Sequence, residues 1–190
     1  MIYNMNPFLI TLLAVSIGIS LAEDLRRQKI PNVVTYPTMA LAVGYHSLSS
    51  GLSGLSFSAG GLALGIALFV VPYLLGGMGA GDVKLMGAAG AIFGPKGICI
   101  ASILVILSGG VYGMILFAMH PRYAGSFLRR LWGTFRIFVL TKHLVLIPRD
   151  IDEKQPVVRY AMPIALGALS YLFMNITGYD LFHEVLIKKF

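Results

Sequence analysis

Only eight of the 190 residues are acidic, and three stand where a carboxylate is expensive: Glu23, Asp24 and Asp82. Glu23 and Asp24 follow an apolar run that begins at Pro7, and Asp82 opens another apolar run after a glycine-rich stretch. A charge held at membrane depth costs about 3 kcal/mol or more, so such residues are candidates for function. Two carboxylates that share a proton can hydrolyse a peptide bond, one taking a proton from water while the other donates to the carbonyl. That chemistry calls for no metal, no cofactor and no covalent intermediate. Plainer roles exist for both residues. Asp82 could cap a helix, since Asp is favoured at helix N-termini, and Asp24 could pair with Arg26, Arg27 or Lys29. The remaining acids, Asp150, Asp152, Glu153, Asp180 and Glu184, read as solvated.

Gly79 and Gly81 immediately precede Asp82. Without a Cβ they let another backbone, or an extended substrate strand, come close. A phosphate-binding glycine turn would need a β-strand before it, whereas here an apolar span of about 17 residues precedes the glycines. Lys84 reads either as a contact to substrate or lipid, or as a lysine snorkelling to the interface.

The elements that must carry these residues follow from composition. The chain is 57% hydrophobic and 12% charged, against about 25% charged in soluble domains. It cannot clothe a soluble monomer in polar groups, and it is too apolar for disorder. The expected fold is all-α: a single polytopic membrane domain over residues 1–190, with about six transmembrane helices. The spans are expected at about 7–23, 33–48, 59–75, 83–93, 98–119 and 160–176, with the fourth the shortest. A Ser/Gly-rich loop is expected over 49–58, and a stop at Gly94-Pro95. Residues 1–23 carry no Lys or Arg, so the first span reads as a retained helix rather than a cleaved signal. Cys99 reads as a small buried hydrophobe.

With the N-terminus outside, twelve Lys and Arg fall on the cytoplasmic side and three outside, as the positive-inside tendency requires. Asp24 and Asp82 then lie at one level near the cytoplasmic face. Eight of the twelve belong to a basic segment over about 120–159. There Phe127, Leu128, Leu131, Trp132, Phe135, Phe138 and Val139 recur at helical spacing, with Arg129, Arg130 and Arg136 between them. Such a stripe suits a helix lying in the lipid interface. The net charge of +7 therefore reads as membrane topology and lipid contact, not nucleic-acid binding.

Three strings carry a resemblance. Gly77-Met-Gly79-Ala-Gly81-Asp82-Val-Lys84-Leu-Met-Gly87 resembles the Gly-x-Gly-Asp-x-Lys signature of the type IV prepilin peptidases. Asp24-Leu-Arg-Arg-Gln-Lys-Ile-Pro31-Asn32 is similar to that family's first aspartate segment, with its Ile-Pro-Asn ending. Arg159-Tyr160-Ala-Met-Pro163-Ile-Ala-Leu-Gly167 is similar to the segment that opens its last helix. The resemblance implies a Gly-x-Gly-Asp intramembrane aspartyl endopeptidase with Asp24 and Asp82 catalytic, and Gly79, Gly81, Lys84, Pro31 and Asn32 binding substrate or supporting the site. It implies removal of the basic leader of prepilin or preflagellin-like proteins at the cytoplasmic side of a prokaryotic membrane. The single cysteine and the short first loop match the small form serving Flp-type pili or archaeal preflagellins. They do not match larger members, which pair cysteines in an insertion and methylate the new N-terminus. Two alternatives stay open: a presenilin-like or signal-peptide-peptidase-like protease, and a small proton-coupled transporter or channel subunit. Self-association is also open.

Overall fold

The computed structural model describes residues 6–74, 77–119, 121, 125, 129, 132–134, 136, 137, 140 and 160–177. Four helices organise them: α1 (Pro7–Arg27), α2 (Asn32–Leu74), α3 (Ala80–Met119) and α4 (Ala161–Thr177), with no strand among the described residues. α1, α2 and α3 are each long and apolar enough to cross a membrane. The chain forms two compact units, Met1–Gly109 with Arg159–Phe190, and Gly110–Val158.

Local chemistry sets the helix ends. The Asn6 side chain accepts from Phe8 N–H at 2.9 Å and Pro7 occupies the first turn, where its missing N–H costs nothing. At the other end Arg26 and Arg27 face the negative pole of the helix. Gln28, in the left-handed region at φ 55°, donates its N–H to Asp24 O at 3.0 Å and closes the helix.

α2 and α3 are each two helical segments joined at one glycine. Gly51 (φ 60°, ψ −138°) and Gly94 (φ 72°, ψ 179°) hold backbone angles that other residues adopt only at a cost. Each break reverses the chain. Gly54 comes against the carbonyl of His46, and the Phe57 ring fills the space that a side chain on Gly94 would need. The first unit therefore holds six helical segments, counted among the described residues, whose boundaries lie close to those expected from the apolar pattern. One expected loop is overturned. Residues 49–58 are not a loop but helix on either side of Gly51. The hydroxyls of Ser49, Ser53 and Ser56 turn back onto carbonyls three or four residues earlier, so a polar stretch stays helical.

The segments on either side of the glycine loop cross with backbones nearly touching. A Cβ on Gly65 would come within 2.5 Å of Met86 O, and one on Gly61 within 2.7 Å of Gly94 Cα. Ser58 Oγ donates to Ala91 O across this crossing at 2.7 Å. Small residues allow such approach where lipid supplies no hydrophobic drive. Gly167 does the same for α4, where a Cβ would lie 2.5 Å from Val105 N. The core between the segments is built on Leu13, Leu85, Met86, Ile92, Ile98 and Ile164, all below 2% exposed. Exchanging Gly61 for Ala should cost at least about 1–3 kcal/mol, because the extra carbon meets backbone that cannot rotate away. The thermal unfolding midpoint in detergent reads this, and an unchanged midpoint would show that the crossing is looser than described.

Outward faces are apolar. Val33, Leu48 and Leu52 are more than four-fifths exposed, and Ile103, Ile106 and Phe173 more than half. Cys99 is exposed among them, not buried as its apolar surroundings suggested. It follows Ile98, which takes the inward face. In the second unit, the described residues at 121, 125, 129, 132–134, 136, 137 and 140 are helical, and Trp132 and Leu140 are exposed. Phe127, Leu128, Leu131, Phe135, Phe138, Val139 and Arg130 lie outside the described residues, as do Gly76, Asp150, Asp152, Glu153, Asp180 and Glu184.

Candidate active site

Asp24 occupies the last turn of α1 and Asp82 the first turn of α3. Each is 8% exposed. The geometry separates Asp24 from its neighbour. Successive helix residues point about 100° apart, and Glu23 faces outward to pair with Arg27 at 3.3 Å. Asp24 is thus the inward carboxylate.

Asp82 is held in a reciprocal turn. Gly79 N–H donates to Asp82 Oδ2 at 3.0 Å, while Asp82 N–H donates to Gly79 O at 3.1 Å. A carboxylate in the first turn that reaches back to the N-cap amide is one arm of a capping box. Helix capping and chemistry are therefore compatible here, because the cap engages one carboxylate oxygen. Gly81 provides the close approach: a Cβ on it would lie 2.8 Å from Ile30 Cβ and 3.3 Å from Ile30 O. The segment leaving α1 is thereby packed directly against the turn that carries Asp82.

Pro31 and Asn32 start α2. Pro31 O accepts from Val34 N–H at 3.1 Å and Thr35 N–H at 3.4 Å. Lys84 Nζ donates to Asn32 Oδ1 at 2.8 Å and stands 5.0 Å from the centre of the Tyr36 ring. Two of the three strings singled out in the sequence thus meet: Gly79 just before α3, with Gly81, Asp82 and Lys84 in its first turns, comes up to the segment of Asp24, Ile30, Pro31 and Asn32. Ile30 and Tyr36 were not singled out as contacts. Nothing in their types announces one, although Ile30 belongs to the Ile-Pro-Asn string.

The Lys84 clasp has a measurable worth. Lys84→Met should lower stability by about 1 kcal/mol, the scale of a half-exposed charged hydrogen bond with a cation–π contact, while Lys84→Arg should retain most of it. Asn32→Ala added to Lys84→Met should cost little more, since the bond is already gone. Additive losses in that thermal double-mutant cycle would show that the two side chains act independently.

A sequence model of the type IV leader peptidase family matches residues 8–114, a stretch that includes both aspartates, both glycines, Pro31, Asn32 and Lys84. The chain belongs to the type IV leader peptidase family. It is a membrane protein and a protease of the leader-peptidase kind. No curated protein and no solved structure matches it. For this leader peptidase the matched region ends before the basic segment.

Proposed function

We propose that this leader peptidase is an aspartic-type enzyme, with Asp24 and Asp82 as its catalytic pair. It removes the basic leader from prepilin-like or preflagellin-like precursors at the cytoplasmic face of a prokaryotic inner membrane. The observation that carries this reading is the pair of buried carboxylates, one on the last turn of α1 and one on the first turn of α3, beside the Gly81–Ile30 packing. The six apolar segments are its crossings, and the excess of Lys and Arg in the loops between them favours an outside N-terminus.

Two close carboxylates cannot both ionise cheaply, so the pair holds one proton. The ionised member takes a proton from water as the water oxygen attacks the scissile carbonyl carbon. The protonated member donates to the carbonyl oxygen. The tetrahedral diol then collapses, the C–N bond breaks, and a proton passes from the pair to the leaving amine. The Gly79 amide fixes one oxygen of Asp82 during this exchange. A scissile bond must be extended to be attacked, and the glycine loop before α3 can accept an extended strand through backbone hydrogen bonds.

Co-expression with a precursor bearing a basic leader, read by size on a gel, tests the activity. The expected product is shorter by the leader. Precursors of the prepilin and preflagellin kinds that all stay full length beside the membrane-inserted enzyme would overturn the reading.

A further inference from the structure

Ser20 is completely buried on α1, and its Oγ has no hydrogen-bond partner among the described residues. Buried hydroxyls are nearly always satisfied by protein or by water. A helical serine can satisfy itself by donating to the carbonyl one turn earlier. Ser47 and Ser102 do so, at 2.7 and 2.6 Å. Ser20 does not.

Its surroundings are polar in a regular way. Positions 16, 20 and 24 recur every four residues and so share one face of α1, and Ser16, Ser20 and Asp24 are all buried. On α2, Thr38 meets Ser16 at 2.7 Å. One turn from Thr38, toward the same end of the molecule as Ser20, Thr35 is also completely buried. Its hydrogen bond to Asn32 O is long, 3.5 Å. The Ser16–Thr38 pair is satisfied within the protein: Thr38 donates to Val34 O at 2.7 Å and accepts from Ser16. Polar capacity remains in the next layer, at Ser20, on the side of Asp24. A buried water needs two to four polar partners, and Ser20, Thr35 and the Asp24 carboxylate one helical turn away supply them.

We propose that Ser20, with Thr35 and Asp24, binds a buried water inside the helix bundle, and that this water supplies the hydrolytic reaction. The second half rests on the aspartic reading above. Cleavage consumes one water: its oxygen and one hydrogen go to the acyl carbon of the leader, and its other hydrogen goes to the new amine. An apolar substrate helix seated against the site keeps bulk water away, so a water stored behind Asp24 is positioned to enter. Ser20 is a positioning residue, acting through that water.

The test uses the full chain in phosphatidylglycerol-containing liposomes. Infrared spectra in ordinary and oxygen-18 water should show a narrow O–H stretch that shifts with the isotope, is lost in Ser20→Ala and returns in Ser20→Thr. With a cleaved precursor, Ser20→Ala should lower kcat about tenfold, the worth of one hydrogen bond, with KM unchanged. An isotope-sensitive band that persists in Ser20→Ala overturns the water site. A lost band with full kcat overturns its role in supply. Because the band is read without precursor, a wild-type chain that shows it yet cleaves nothing refutes the peptidase reading and leaves the water site standing.

Discussion

Asp24→Asn and Asp82→Asn should each reduce precursor cleavage by at least about 10²–10⁴-fold, the range that a positioned acid or base contributes, while Glu23→Gln should cleave like wild type. Asparagine keeps the size and hydrogen-bonding reach of aspartate but cannot give or take the proton. Both aspartates are buried, so their loss is not diluted by solvent, and Gly79 N–H can still donate to the amide oxygen at position 82. Glu23 is the control because it differs from Asp24 by one position and is turned outward onto Arg27. The double variant should be no slower than either single one, since members of a catalytic unit are not additive. Initial rates from a gel or a mass-resolved time course separate these outcomes. Full cleavage by Asp24→Asn would remove that residue from the mechanism.

Gly81→Val should reduce cleavage by about 10²-fold without unfolding the bundle. The first added carbon would stand 2.8 Å from Ile30 Cβ and 3.4 Å from Ile30 N. Those atoms belong to, or are bonded to, the main chain, so no rotamer change relieves the contact. The first turn of α3 must move away from the segment that follows α1, and Asp82 moves with it. A displacement of about 1 Å at a catalytic group is worth about 10²-fold. Gly81→Ala should show the same effect in smaller measure. The packing cost itself is about 1–3 kcal/mol, so the thermal midpoint should fall modestly while activity falls steeply. Wild-type cleavage by Gly81→Val would show that the approach to Ile30 has no part in aligning the pair.

Much of this arrangement is legible in the sequence because apolar runs are punctuated by residues with few conformational choices. Pro7, the basic stretch after Asp24 and the Gly94-Pro95 stop mark segment ends that the structure keeps within a few residues. The stretch 49–58 misleads because serine and glycine signal a loop by composition, yet Ser49, Ser53 and Ser56 bond back to carbonyls three or four residues earlier and only Gly51 breaks the helix. Cys99 misleads because an apolar neighbourhood in a membrane protein has a lipid side as well as a core side, and residue type does not distinguish them. The two aspartates are legible because acids are scarce in so apolar a chain. The Lys84–Asn32 clasp and the Ile30 contact are not, since they depend on which helix ends meet across the bundle. The Ser16, Ser20, Asp24 spacing is visible in the sequence. Its meaning emerges only when burial and the missing partner of Ser20 are known.

The most direct test of the central claim, that Asp24 and Asp82 share one site, is a cross-link. Asp24→Cys and Asp82→Cys are combined in a Cys99→Ser background and treated with a short bismaleimide in the membrane. An intramolecular bridge between positions 24 and 82, identified by mass after proteolysis, is the expected result. Absence of the bridge, when each cysteine alone is labelled by a monofunctional maleimide, would contradict it.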